Sequence, residues 1–460
     1  MPDYTPHTQE EVQSMLEFLG MDSIEDLFEA VPTALKMTQE LDIPTGLPEP
    51  DVYAYFEDIA MRNRLVSERL VCFAGAGAYD HEIPPVVKAL AGRSEFLTSY
   101  TPYQPEVAQG VLQAIFEFQT MVTRLFGLPV ANASLYDGAS ALVEGINLAV
   151  AASGRNDVWI SSGIHPNWRA VVKTCATGSG HRIVEIGLED GITCWPDGIC
   201  GTQSPGVIVV GYPNYLGCLE DLSKARSLAD AHRALLVVAT DPISLGLLRS
   251  PGDWGADVVV GEGQSFGTPL GFGGPYLGMF ACTKEHVRRL PGRLVGETLD
   301  EDGKKAYVMT LRTREQDIRR EKATSNVCTN QTLMAITAAI QLGWLGTSGL
   351  GEVALRCARG TRYLRERLLS LDGTESLTGD TPIFREFGLI TPLPARLVIQ
   401  RMADQGYLAG VALSDLVGNK GDGSLDLSNS HRGLLVAVTE RRTKDEMDGY
   451  VEAFDKAIRS

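Results

Sequence analysis

The chain is predicted to be an α/β protein: a large, mainly parallel sheet covered on both faces, followed by a smaller α+β region. Three observations carry this prediction. Short apolar, β-rich runs recur at Val158 to Ser161, Ile183 to Ile186, Val207 to Val210, Leu235 to Ala239, Val258 to Val260 and Leu277 to Ala281. They are continuously apolar instead of alternating, as strands buried on both faces are, and polar, helical or Gly/Pro-turn stretches separate them. At 460 residues the chain is long enough for two or three domains with a large core.

Taken in order, residues 1–70 read as a helical arm. Thr8 and Glu11 form a capping box ahead of Met15, Leu16, Phe18 and Leu19, and Ser23 opens a second short helix carrying Ile24, Leu27 and Phe28. These amphipathic helices need a surface to lie against, either a partner subunit or the chain's own core. Residues 71–330 form the large α/β domain, in which Val111 to Phe126 repeats at helical spacing and a helix from Ala139 to Ala152 opens after Asp137-Gly138. Residues 331–460 form the α+β domain. It opens with a helix from Leu333 to Trp344, a boundary at Gly346 to Gly351, and helices at Val353 to Leu369 and Leu393 to Gln405. A strand at Leu434 to Val438 and a last helix capped by Thr443 and Glu446 complete it.

Forty-one basic against 58 acidic residues give a net charge of −17, which disfavours nucleic acid or an anionic membrane as main partner. The polar, acidic start has no signal-peptide order and no run of eighteen apolar residues exists, so the expected compartment is the cytoplasm. Eight scattered cysteines lack a C-x-x-C pair and are expected to be reduced thiols, with Cys194 and Cys200 the only local disulfide candidate. Cysteines and histidines show no metal-ligand spacing.

The most informative segment is VVVGEGQSFGTPLGFGGPYLG, Val258 to Gly278. A strand leads into a Gly-rich turn, yet no lysine occurs between Lys224 and Lys284, and Gln264 stands two residues before Phe266. A carboxamide has no nucleophilic lone pair for covalent carbonyl chemistry. The glycines of Gly271 to Pro275 alone would fit an ordinary turn. FAGAG, Phe73 to Gly77, mimics a dinucleotide fingerprint but lacks the third glycine and the helix opening. SYTPYQPEVAQG, Ser99 to Gly110, is a proline-stiffened loop able to present hydroxyls and an amide, or a plain connection. His165 and Asp241 each follow a predicted strand, where ligand crevices of open sheets lie. Asp241 could pair with a protonated ring nitrogen or cap a turn before Pro242; His165 could stack on a ring or be a satisfied core residue. Arg312 to Asn330, with five basic and three acidic residues, reads by default as a solvated helix face, ending in a polar cluster of Thr324, Ser325, Asn326 and Thr329.

Together these segments resemble the glycine decarboxylase P-protein of the glycine cleavage system, in its first, or α, subunit form. The resemblance is carried by YTPHTQEEV, FAGAGAYDHEIP, TSYTPYQPEVAQG, ASLYDGASA, DPISLG, SFGTPLGFGGPYLG and REQDIRREKATSNVCTNQ, and spans nearly the whole chain. It implies an aspartate-aminotransferase-like fold, type I of the pyridoxal phosphate-dependent transferases. It also implies that Gln264 occupies the place of the cofactor-capturing lysine, so that none of this chain's residues is covalent. Pyridoxal phosphate would then be bound by subunit 2, the β partner, in a heterodimer or a doubled tetramer. His165, Asp241, Ser134, Ser265 and Thr268 would be a degenerate cofactor pocket, while Tyr100, Thr101, Tyr103 and Gln104 reach the partner's site. The implied reaction takes glycine, releases carbon dioxide and passes the aminomethyl group to the lipoyl H-protein, with the T and L proteins as indirect partners. Three alternatives remain open: a scaffold without substrate contact, a self-sufficient pyridoxal enzyme using Lys284 or Lys322, and a nicotinamide dehydrogenase built on FAGAG.

Overall fold

A computed structural model describes residues 6–37, 39, 41–64, 70–196, 204–417 and 427–459. Its internal contacts divide the chain into two units, Met1–Arg64 and Leu65–Ser460. Cys200, and with it the Cys194–Cys200 pairing, lies outside the described residues.

Within the first unit, the helix Gln9–Leu19 starts where the sequence places it. Thr8 N donates to Glu11 Oε2 at 2.7 Å and Glu11 N to Thr8 Oγ1 at 3.3 Å, the reciprocal box that satisfies two otherwise orphaned donors. A short 3₁₀ turn, Ile24–Phe28, follows Ser23, and a second helix spans Glu49–Met61. These helices bury little of their own: Phe18, Leu27, Phe28, Leu35, Tyr53 and Phe56 stay exposed.

The second unit is built on a seven-stranded sheet. Its order is Val130–Ala131, Gly278–Cys282, Val258–Glu262, Leu235–Thr240, Val207–Tyr212, Asp157–Ser161, Arg182–Ile186. Gly278–Cys282 runs antiparallel to both neighbours, and the remaining pairs are parallel. Alternate residues feed opposite layers, as the period of two requires. Trp159, Ile208, Val210, Leu236, Val238 and Val259 enter one cluster, and Val158, Ile160, Val207, Val209, Val237 and Val258 the other. Both faces are therefore core, which is why the strands read as unbroken apolar runs. The helix Gln109–Phe126 lends Phe118, Val122 and Phe126 to the first layer; Gly138–Ser153, capped by Asp137, lends Leu142, Ile146 and Ala149 to the second. Burying each such aliphatic side chain is worth about 2 kcal/mol.

A second, antiparallel sheet follows the order Glu375–Ser376, Glu386–Ile390, Gly433–Ala437, Val411–Ala412. The helices Ala395–Asp404 and Lys444–Arg459 cover it, the latter opened by the expected Thr443/Glu446 box.

Two expectations differ from the structure, and one element has no counterpart in the sequence reading. The boundary at Gly346 to Gly351 is a kink inside one helix, Thr332–Leu369, where Gly346 alone leaves helical geometry (φ 61°, ψ −175°). Ala335, Ala338 and Ala339 before the kink pack into the main core, and Leu364 and Leu368 after it into the core of the smaller sheet. This helix is long and apolar enough, by composition alone, to cross a membrane, but it serves here as the spine joining two cores. Secondly, Arg312 to Asn330 is no continuous helix face. It breaks into the turns Arg312–Arg314, Gln316–Arg319 and Arg320–Lys322, with Leu311 and Arg320 at positive φ. Finally, a hairpin pairs Leu294–Leu299 with Lys305–Thr310. Its mixed polar composition and charged turn gave no apolar run to announce it.

Candidate functional site

A cleft with an empty volume of about 700 Å³, open mouth included, lies at the carboxyl ends of the parallel strands. His165, Asn214, Asp241, Glu262 and Ser265 follow or end strands of the large sheet. Phe384, Arg385 and Glu386 lead into the smaller sheet and close the opposite wall. This is the crevice where α/β sheets hold ligands. Gly77 also lines it, at φ +99°, and a Cβ there would stand 3.2 Å from the His165 ring, so the loop 73–80 depends on glycine at that point.

Gln264 is buried and its amide is fully engaged. Its Oε1 accepts from Tyr79 N at 3.0 Å, while Nε2 donates to Tyr79 O at 3.2 Å and to Thr268 O at 2.8 Å. The two-way pairing with the N–H and C=O of Tyr79 needs both an acceptor and a donor, which a carboxamide has and an ammonium lacks. Gln264 thus clasps the Tyr79 loop; nothing about it is reactive.

Asp241 both caps a turn and forms an ion pair. Its Oδ1 accepts from Ile243 N at 3.1 Å, and Oδ2 lies 2.7 Å from Arg385 Nε. Arg385 is buried, stacks with its guanidinium carbon 3.5 Å from the Tyr79 ring centroid, and meets His81 Nε2. The next residue, Glu386, accepts from Ala76 N at 2.6 Å and from the Tyr79 hydroxyl at 2.7 Å. Burial pushes the Glu386 carboxyl up to about 7 despite these donors. Arginine thus sits where Asp241 would otherwise offer its charge to a ligand.

The start of the helix Gly138–Ser153 is likewise taken. Ser140 N donates to Asp137 Oδ1 at 2.7 Å and Gly138 N to Glu262 Oε2 at 2.9 Å. Helix N-termini attract phosphates because free N–H groups and the dipole point outward. Here two carboxylates occupy that position. Glu262 also accepts from Gln264 N and Leu277 N, and burial raises it to about 7.

His165 caps the helix Pro166–Ser179 through Nδ1, which accepts from Asn167 N at 3.1 Å, and its Nε2 lies 2.8 Å from Ala76 O. Desolvation holds its pKa below the ordinary histidine value, so the ring is neutral with the proton on Nε2 facing Ala76 O. Ser265 lines the cleft, whereas Ser134 and Thr268 do not. Thr268 Oγ1 lies 3.6 Å from Met334 Sδ; Ser134, at φ 130°, accepts from Asn330 Nδ2 and Gln331 N at the start of the long helix. Behind the cleft His81, Cys357 and Glu440 meet within 4.8 Å, a metal-like trio. Both ring nitrogens are already engaged, by Glu440 and Arg385, and the guanidinium opposes a cation.

Of the four loop residues Tyr100, Thr101, Tyr103 and Gln104, none lines the cleft, and the structure brings two, Thr101 and Tyr103, to Arg293. Its Nη2 donates to the Tyr103 hydroxyl at 2.7 Å and to Cys328 O at 3.0 Å; Nη1 reaches Thr101 Oγ1, Thr329 Oγ1 and Asn330 Oδ1, each at 3.3 Å. Arg293 is 4% exposed, and among the described residues it has no carboxylate partner. Tyr100, Tyr103 and Gln104 remain exposed. Sequence reasoning missed Arg293, Arg385, Glu386 and Glu262. Only the adjacent charges inside FREFGLI offered a signal, since charges rarely enter an apolar strand unpaired.

A cofactor of the pyridoxal phosphate kind needs an amine, a free carboxylate for its ring and an open anion cup. The cleft has an engaged amide, a carboxylate paired with Arg385, and a cup holding carboxylates. Its residues do not fit that group.

A family model described as glycine cleavage system P-protein matches residues 2–454. A protein of Moorella thermoacetica named as a probable glycine dehydrogenase (decarboxylating) subunit 1 is 46% identical over 452 residues, 98% of each chain. A crystal structure of glycine decarboxylase (P-protein) of the glycine cleavage system, in inhibitor-bound form, superposes with TM-score 0.89 at 42% identity, covering 99% of this chain and 100% of its own. Sphingosine-1-phosphate lyase of Burkholderia pseudomallei shares the fold at TM-score 0.64 and 14% identity, over 93% of this chain and 94% of that one. The architecture is that of the type I fold of pyridoxal phosphate-dependent enzymes.

Proposed function

The chain belongs to the glycine cleavage system P-protein family, and from that premise we propose that it is the α subunit of a two-chain glycine decarboxylase whose cofactor sits in the partner. The reaction takes glycine and the lipoyl H-protein and yields carbon dioxide and an aminomethyl-dihydrolipoyl H-protein. One observation carries the reading: Gln264, in the place of the capturing lysine, is buried and saturated by Tyr79 and Thr268. A pocket so closed within its own chain leaves the covalent step to another polypeptide.

When bound in the complex, pyridoxal phosphate supplies the electron sink for decarboxylation. This chain's own residues orient and shield. Arg293 fixes the Tyr103 hydroxyl and Thr101 against Thr329 and Asn330, presenting a rigid polar rim at the partner's site. A rim held this way loses little entropy when substrate arrives.

The test is reconstitution. The chain and its partner should co-purify, and the pair should release carbon dioxide from glycine where neither does alone. Tyr103→Phe with Gln104→Ala should then slow the assembled enzyme without dissociating it. Unchanged rates would favour a scaffold that never touches substrate, and activity of the isolated chain would overturn the two-chain reading.

A further inference from the structure

A second concavity, with an empty volume of about 1170 Å³, is lined by Arg288, Arg289, Arg314, Arg319 and Lys322, with two threonines and a leucine and no acidic residue. Among the described residues none of these five cations forms an ion pair, although acidic residues outnumber basic ones by 58 to 41 in the chain. Arg314 is held by backbone carbonyls instead: Nη2 donates to Gly292 O at 2.9 Å, Nε to Leu311 O at 3.0 Å, and Nη1 to Leu290 O. Five like charges facing one hollow repel one another, and an anionic occupant would relieve them.

The hollow is joined to the Arg293 rim. Arg314 grips the carbonyl of Gly292, the residue before Arg293. Arg312 and Arg293 place their guanidinium carbons 5.7 and 5.0 Å from the same Tyr103 ring centroid. Whatever docks here stands beside the loop assigned above to the shared site.

Two features select the occupant. No aromatic side chain lines the hollow to hold a base, and the cations sit on separate short turns between residues 284 and 322, a spread suited to a surface of carboxylates more than to one small anion. Permanent subunit interfaces are mainly apolar, a character that the exposed Phe18, Leu35 and Met37 of the first unit have and this hollow lacks. Unpaired charge at a rim serves a partner that comes and goes, by steering its approach.

We propose that this cationic hollow is the docking surface for the acidic face of the transient carrier protein that brings the lipoyl acceptor. The inference rests on the function proposed above. Arg288 and Arg319 are exposed and make no side-chain hydrogen bond or ion pair among the described residues, so changing them leaves the fold intact.

In the assembled two-subunit enzyme, Arg288→Glu with Arg319→Glu should lower kcat/KM for the lipoyl carrier about tenfold or more at low salt, through KM, with the gap closing as salt screens it. With free lipoamide as acceptor, variant and parent should run at the same rate. An unchanged carrier KM overturns the docking surface. So does an equal loss with lipoamide, which would mark general damage. Loss of inorganic tripolyphosphate binding with carrier kinetics intact would assign the hollow to a free anion and overturn it too. If the unaltered assembly releases no carbon dioxide from glycine, the proposed function itself fails; if it does and the variants are indifferent, only the docking surface fails.

Discussion

The strand-end cleft and the Arg293 rim differ in where their charges find partners. In the cleft the main polar groups are answered from within the chain: Asp241 by Arg385, the helix start by Glu262 and Asp137, Gln264 by the backbone of Tyr79 and Thr268. At the rim, among the described residues, a buried guanidinium meets only neutral oxygens, and the neighbouring hollow is lined by cations without anions. One region has been sealed and the other left incomplete. On the function proposed above, this is the pattern expected of a subunit that leaves the covalent step to its partner and still shapes the shared site, because closed polar networks add rigidity while open ones wait for a second molecule.

The contrast is most easily broken at Arg385. Arg385→Met leaves the partly buried Asp241 without its cation and should cost roughly 3 kcal/mol of unfolding free energy in denaturant titration. Adding Asp241→Asn should recover most of it. A loss under about 1 kcal/mol would mean that the cleft is not sealed by this pair.

Next comes pH. Glu262 and Glu386 rise to about 7 from an ordinary 4.5 because they are buried. Below pH 4.5 both folded and unfolded chains hold these protons, and no penalty exists. Between 4.5 and 7 only the unfolded chain ionises, so stability falls as pH rises, by up to about 3 kcal/mol per carboxyl above pH 7. Glu386→Gln should flatten that slope in melts between pH 5 and 8; an unaltered slope would remove Glu386 from the account.

A smaller effect is expected at Gln264. Gln264→Lys leaves the Tyr79 N–H without an acceptor and should cost about 2 kcal/mol. It should not restore cofactor capture, because the anion cup and Asp241 remain occupied. Gain of a borohydride-stable adduct would show that the amide alone keeps the cleft inactive. Smallest of all, Tyr103→Phe should change the isolated chain's stability by no more than about 1 kcal/mol, since the loop is exposed. Its effect should appear only in the rate of the assembled enzyme.

The large sheet was legible because its strands are buried on both faces and carry unbroken valine, isoleucine and leucine runs. The capping boxes at Thr8 and Thr443 were legible because that chemistry is local. The hairpin Leu294–Leu299 with Lys305–Thr310 was not, its register resting on cross-strand pairing and not on apolar periodicity. The site was half legible. Gln264 announced what the chain cannot do, since one functional group decides it. Arg385 and Arg293 were silent: each gains its meaning from residues remote in sequence, Asp241 for one and the 101–103 and 328–330 loops for the other. The helix Thr332–Leu369, kinked at Gly346, shows a similar limit: glycine punctuation suggests a boundary, and the helix runs on through packing on both cores.

The central claim is that this chain's own strand-end cleft holds no covalent cofactor. It is tested most directly by mixing the purified chain, without its partner, with pyridoxal phosphate, reducing with borohydride and mapping the peptides. No lysine in or beside the cleft should be labelled, and no carbon dioxide should be released from glycine. A reduced adduct at a single lysine, accompanied by turnover, would contradict it.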